Sequence, residues 1–244
     1  LGSPRLSRLF FDRRDASQFF FTDPYDLTVL RPEDIIFTNT LSPFTNLSYY
    51  KTFDSRNGEE RFKSYFAINA NKRFGVGFYI DYLYGRGLYA SQSTAFFNGG
   101  LFASYRGDKY NMHFIFNNDN LKMAENGGIA DDRYITNPLD MAEGKKEYKS
   151  YDIPTNLNKV WNHNTSYHVF MTQRYNLGFH KEKTDSVTKD SVRIIQEFVP
   201  VTSFIHTLQV DLNGRKYISY DDEQNQKYFE HNYLGNDSID KTRR

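Results

Sequence analysis

The stretch FFNGGLFASYRGDKYNMHFIFNNDN, Phe96 to Asn120, sets the reading of the whole chain. Taken every second residue, Phe97, Gly99, Leu101, Ala103 and Tyr105 share one face, and Asn98, Gly100, Phe102, Ser104 and Arg106 share the other. After RGDK the alternation restarts, with Tyr110, Met112, Phe114 and Phe116 set against Asn111, His113, Ile115 and Asn117. A period of two on both sides of a short polar turn predicts a β-hairpin with one apolar, aromatic face and one mostly polar face. Either a protein core or lipid must cover the apolar face.

The same rhythm runs outward in both directions. NLSYYKTFD, the turn SRNGEE with its Asn-Gly pair, RFKSYFAINA and the tight turn NKR read as two further strands. FGVGFYIDYLYGRGLYA carries an unbroken stripe of Phe74, Val76, Phe78, Ile80, Tyr82 and Tyr84. A strand of about 15 residues would span some 50 Å, where strands of globular proteins usually run about 5–6 residues. Length therefore favours lipid, and Tyr82, Tyr84, Tyr105 and Tyr110 are the candidates for lipid-facing aromatic girdles. Further on, TSYHVFMTQRYNLGF alternates again, with Gln173 as a polar blemish on the apolar stripe. HKEKTDSVTKDSVR reads as a charged connection, and EFVPVTSFIHTLQVDLNGRKYISYDD as one long strand in preference to a hairpin at LNGR.

Composition agrees with this reading. With 39% hydrophobic residues and a mean hydropathy of −0.71, the chain contains no apolar run of the 18–20 residues that a membrane helix needs. A transmembrane β-barrel needs none, because its lipid-facing and lumen-facing residues alternate and cancel. Phe (22) and Tyr (19) dominate over a single Trp, as a sheet with an aromatic outer face would require. A net charge of +1 with both signs interspersed leaves no footprint for nucleic acid. The absence of cysteine suits an oxidising compartment but is common in the cytosol too. LGSPRLSRLFFDRRD carries no signal-peptide pattern, so an export signal is expected to have been removed or to lie outside this chain.

Residues 1–34 do not alternate and are assigned neither to strand nor to plug. Residues 35–244 are expected to hold about seven strands, with a long extracellular loop at 123–161 and the short turns NKR and RGDK in the periplasm. Seven is odd, the tail EQNQKYFEHNYLGNDSIDKTRR reads as a loop, and a barrel in lipid must close. The expectation is an all-β fold, an antiparallel transmembrane β-barrel present here as its N-terminal portion, with the remaining strands C-terminal.

LGSPRLSRLFFDRR, FFFTDPYD, NTLSPFTNLSYY, FGVGFYIDYLYGRGLYASQST and LKMAENGGIADDRYITNP together resemble the Putative porin family of Bacteroidetes outer membranes, in family order as far as EFVPVTSFIHT. The resemblance implies export to the cell outer membrane of a Gram-negative bacterium, a barrel and passive passage of small solutes. It brings no catalytic motif, so catalytic residues, metal ligands and cofactors are all read as none. The partners expected are outer-membrane lipid and, in the alternative reading of a non-conducting structural or assembly subunit, other outer-membrane proteins. A soluble lipocalin-like barrel is disfavoured by strand length and by the long loop.

Among individual residues, Arg61, Lys63, Asp81, Arg106, His113, His168 and Arg174 are the lumen-facing candidates, and their charge suggests a mild preference for anions. His163 and His168 stand five apart, in opposite registers of a strand and with no cysteine at hand, so they are read as surface or lumen histidines in preference to a metal site. Strand glycines 75, 77, 85 and 87 suggest either sheet curvature or room for an inserted segment drawn from 123–161. Ser186, Ser191 and Ser238 sit in Asp-Ser-Val or Asp-Ser-Ile triplets that resemble an O-glycosylation motif of exported Bacteroidetes proteins.

Overall fold

The computed structural model describes residues 2–13, 15–54, 56–142, 144, 149–188, 191–220, 223–229 and 239–243. They form one eight-stranded antiparallel sheet in simple sequential order. Its strands are β1 (Phe44–Lys51), β2 (Glu59–Asn69), β3 (Phe74–Gly85), β4 (Thr94–Arg106), β5 (Tyr110–Glu125), β6 (Val160–Thr188), β7 (Ser191–Ser219) and β8 (Ile239–Arg243). The sheet is open. Among the described residues β1 pairs only with β2, and β8 only with Gly214–Ile218 of β7. No helix among them is long and apolar enough to cross a membrane, which bears on helices alone.

The register explains why alternation was so regular. Ile68, Val76, Ala103, Phe114, Met171 and Leu208 are successive partners across β2 to β7. The next such row along the strands is Phe66, Phe78, Leu101, Phe116, Val169 and Val210. Side chains on alternate positions of paired strands point the same way, so each row extends an apolar surface across the sheet. This face is uncovered: Leu101 is 55% exposed, whereas its neighbour Phe102 on the opposite face is 3% exposed.

Aromatic residues bound the uncovered face at two levels. Tyr82 and Tyr84 stand at the end nearest the long loop, where Trp161 also lies, its ring beneath the Lys122 Nζ at 4.5 Å. Tyr105 and Tyr110 stand at the opposite end, with ring centroids 6.0 Å apart. The Tyr110 hydroxyl donates to Gln173 Oε1 at 2.8 Å, and Gln173 Nε2 lies 3.0 Å from His206 Nδ1. Gln173 is thus hydrogen-bonded at both ends at the tyrosine level. Phe74 and Tyr84 lie ten residues apart on β3, or about 33 Å along the strand.

Several sequence expectations are corrected. β3 has 12 residues rather than about 15; it ends at Gly85, and Gly87 beyond it adopts a φ of 79°. The strands start at Phe44, and the long loop runs from 126 to 159 because β5 continues to Glu125 and β6 begins at Val160. Where a charged connection was expected, residues 180–188 belong to the end of β6 and 191–193 to the start of β7. Charge there misled because a two-stranded ribbon outside the sheet has no face that must be apolar. β7 runs unbroken through LNGR. The tail contributes β8, five residues too short and too charged to display a period.

Two glycines on the covered face have a steric reason. A Cβ on Gly77 would lie 2.3 Å from the Phe102 ring, and one on Gly100 would lie 2.7 Å from the Tyr79 ring. Phe102 and Tyr79 are their cross-strand partners, so each ring lies over a glycine. Replacing Gly77 by Val is expected to cost about 1–3 kcal/mol through overpacking. Gly214→Ala, where the nearest neighbour would be 3.8 Å away, should change stability by less than about 0.5 kcal/mol. Urea unfolding of the detergent-refolded protein, followed by tryptophan fluorescence, measures both.

Candidate functional site

The face opposite the apolar rows is where the described residues converge. Its rows run Lys63, Asp81, Asn98, Asp119, Ser166 and Asn213, then Tyr65, Tyr79, Gly100, Asn117, His168 and Asp211. Such polar residues suit water. Instead, several are buried beneath the N-terminal segment, residues 2–43, which is built of short helical turns and extended stretches.

The segment is held by two apolar clusters and a polar band. Tyr25 packs with Leu83, Phe96, Leu121 and Met123, flanked by Val29, its ring edge-on to Phe96 at 5.6 Å. Ile35 packs with Ala67, Tyr79, Phe102 and Ile115, flanked by Leu30 and Phe37. Between the clusters, sheet side chains donate to carbonyls of the segment: Asn98 Nδ2 to Thr28 O at 2.7 Å, Asn117 Nδ2 to Leu30 O, and the Tyr65 hydroxyl to Ile36 O at 2.8 Å. Asn69 Nδ2 donates to Asn39 Oδ1, and Asn164 Nδ2 to Phe21 O at 3.4 Å. A carbonyl in an irregular segment has no ladder partner, and an amide side chain supplies the missing donor.

The fit is incomplete. Asn98 Oδ1, Asn117 Oδ1, Asp119 Oδ1 and Asn164 Oδ1 are buried and make no hydrogen bond among the described residues. A buried acceptor left without a donor costs about 1–3 kcal/mol, against a net gain of about 1 kcal/mol for each bond made. The polar band therefore contributes register more than affinity, and the apolar anchors hold the segment down.

The lumen-facing candidates all lie on this face. The Arg61 guanidinium makes a two-point pair with Asp81, at 2.9 and 2.7 Å, and Lys63 stands 3.7 Å from the same carboxylate. All three line a cavity of about 350 Å³ between the segment and the sheet. Arg106 and His113 border a smaller one of about 80 Å³ beside Asn39, with the His113 ring edge-on to Phe37. His168 lies between two carboxylates, its Nδ1 2.6 Å from Asp211 and its Nε2 3.7 Å from Asp119. Arg174 is exposed opposite Asn111 and Ile205. Asp119 and Asp211 share the face with Asp81. His163 lies on the other face, 2.8 Å from Asn120 Oδ1.

Among the described residues the long loop does not supply the covering segment that the strand glycines suggested. Its hydrogen bonds reach Ala90, Ser91 and Asn225, and the Arg56 guanidinium sits over its Tyr151 ring. Rings, not a loop, occupy the space above Gly77 and Gly100. Ser186 and Ser191 lie at the ends of β6 and β7 nearest each other, and Ser238 falls outside the described residues. Among the described residues no group of three or more His, Asp or Glu could hold a metal ion. Alternation places Asn98, Asn117 and Asn164 on the polar face. Their partners are backbone carbonyls of a segment without periodicity, which leave no mark in a sequence.

Burial pushes the Tyr25 phenol up to about 12. The docked segment thus favours the neutral phenol: docking is unimpaired below the free value of about 10 and weakens as pH rises toward the docked value. Proteinase K should cut residues 2–40 of the refolded protein faster at about pH 11 than at about pH 9, and Tyr25→Phe should lessen that pH dependence. Tyr25→Ala, losing an aromatic anchor worth about 3 kcal/mol, should speed cleavage at every pH.

No curated protein and no solved structure matches this chain. The family model described as "Putative porin" matches residues 1–244. A porin family is one of outer-membrane proteins and not of enzymes, and this chain belongs to the Putative porin family.

Proposed function

We propose that the eight strands are an arc of a closed transmembrane barrel in the outer membrane, and that the barrel is a channel for passive diffusion of small solutes. The observation that carries this is the pair of apolar rows crossing six strands on an uncovered face. In water such a surface is an aggregation site; in lipid it is the required exterior. The open edges of β1 and β7 support closure by further strands, because unpaired backbone groups cost several kcal/mol each in hydrocarbon. Outer-membrane lipid is then the main partner. Arg61 and Lys63 share Asp81, and Asp211 adds negative charge to the same face, so any preference for anions is slight.

A second reading has one observation in its favour. The segment covering the polar face narrows or fills the space a solute would use, as it would in a non-conducting subunit of a larger outer-membrane complex.

Two measurements test the proposal. The full-length protein in a planar bilayer should give discrete, reproducible conductance steps; a folded but silent barrel would favour the second reading. Leu101→Arg, placing a charge in the middle of the apolar band, should cost about 2–4 kcal/mol of stability in the membrane. Equal stability of Leu101→Arg and the parent in lipid vesicles would count against the membrane assignment.

A further inference from the structure

We propose that residues 2–40 are a displaceable plug: docked, they obstruct the lumen, and on leaving they open it without unfolding the barrel. This rests on the channel reading above.

Five observations carry it. Among the described residues the segment pairs with no strand, so its removal breaks no ladder. It is attached by side chains of the sheet, chiefly Asn98 and Asn117, and by the Tyr25 and Ile35 clusters. The segment also has bonds of its own that let it move as a unit. The Arg5 guanidinium grips Asp26 at 2.7 and 2.8 Å, the Arg5 N–H donates to Pro24 O at 2.8 Å, and Arg13 Nε donates to Ser7 O at 2.8 Å.

Docking leaves the buried oxygens of Asn98, Asn117, Asp119 and Asn164 unpaired. Undocking would return all four to water, which narrows the gap between the two states. In the surface revealed, Phe102 and Tyr79 lie over Gly77 and Gly100 instead of projecting, so the rings beneath Ile35 add little to the relief of the wall. The Tyr25 cluster supplies the apolar hold that keeps the docked state favoured. A structural strut would call for the opposite arrangement, with every buried polar atom paired.

The experiment is single-channel recording on the full-length protein, with four variants. Deletion of 2–40 should raise unitary conductance at least about twofold as the cross-section grows. Asn98→Asp puts a carboxylate against the Thr28 carbonyl and beside Asp119, and should raise the frequency of opening about tenfold. Thr28→Cys/Asn98→Cys, in a chain with no other cysteine, should close the channel when the two thiols are joined by a short bismaleimide. Deletion of 126–150 should leave conductance unchanged.

If the 2–40 deletion and Asn98→Asp both match the parent, the plug is overturned and the channel stands. If every variant is silent although folded, the channel reading fails and the plug with it. Should the deletion fail to fold, Asn98→Asp and the cross-linked pair decide, since neither removes the segment.

Discussion

Everything in this structure depends on one constraint, the fixed registry of the backbone ladder. Antiparallel pairing ties each residue to a partner on each neighbouring strand, and the pleat sends successive side chains to opposite faces. A slip of β4 by one residue would move Leu101 to the covered face and Asn98 to the uncovered one. Because the pairing holds from β2 to β7, separate alternations in six segments add up to two surfaces of opposite character. The two tyrosine levels follow from the same registry. Tyr82 and Tyr105 take their levels from residue number along paired strands, and Gln173 and His206 can sit on the apolar face because their row falls at the Tyr105 level.

The two faces are stabilised by different physics. On the uncovered face the strands contribute aliphatic and aromatic groups with few polar atoms to satisfy, as a hydrocarbon environment demands. On the covered face, polar residues and flat aromatic rings alternate along the strands, and the N-terminal segment meets both. Its apolar anchors gain from burial at about 1.5–3 kcal/mol each. Its carbonyls and the sheet's amides only partly match, so the polar contacts set position at some cost. An interface of that kind suits a segment that docks on a wall better than one built into it.

Local rules recovered much of this from the sequence and missed what is non-local. The face assignment of Phe97, Leu101 and Phe116 followed from alternation alone, since strand period needs only neighbouring residues. β6 and β7 were read too short because the HKEKTDSVTKDSVR stretch lies beyond β5, whose Tyr110 pairs with Tyr175. Past that point only the partner strand constrains the ribbon. The covering segment was invisible for a related reason. Tyr25 and Ile35 sit among polar and charged neighbours, and nothing local announces that Asn98 or Asn117, distant in sequence, will meet their carbonyls. The glycines were noticed, but a ring from the next strand was harder to foresee than an inserted loop.

The central claim is that the uncovered face meets lipid, and a chain without cysteine offers a direct test. A single spin label would be placed in turn at each residue from Phe97 to Ser104 of the protein in liposomes, and its collision rates with oxygen and with a water-soluble nickel chelate compared. The account predicts a period of two, with oxygen accessibility peaking at Phe97, Gly99, Leu101 and Ala103 and falling at the positions between. Flat profiles, or nickel accessibility peaking at Leu101, would contradict it.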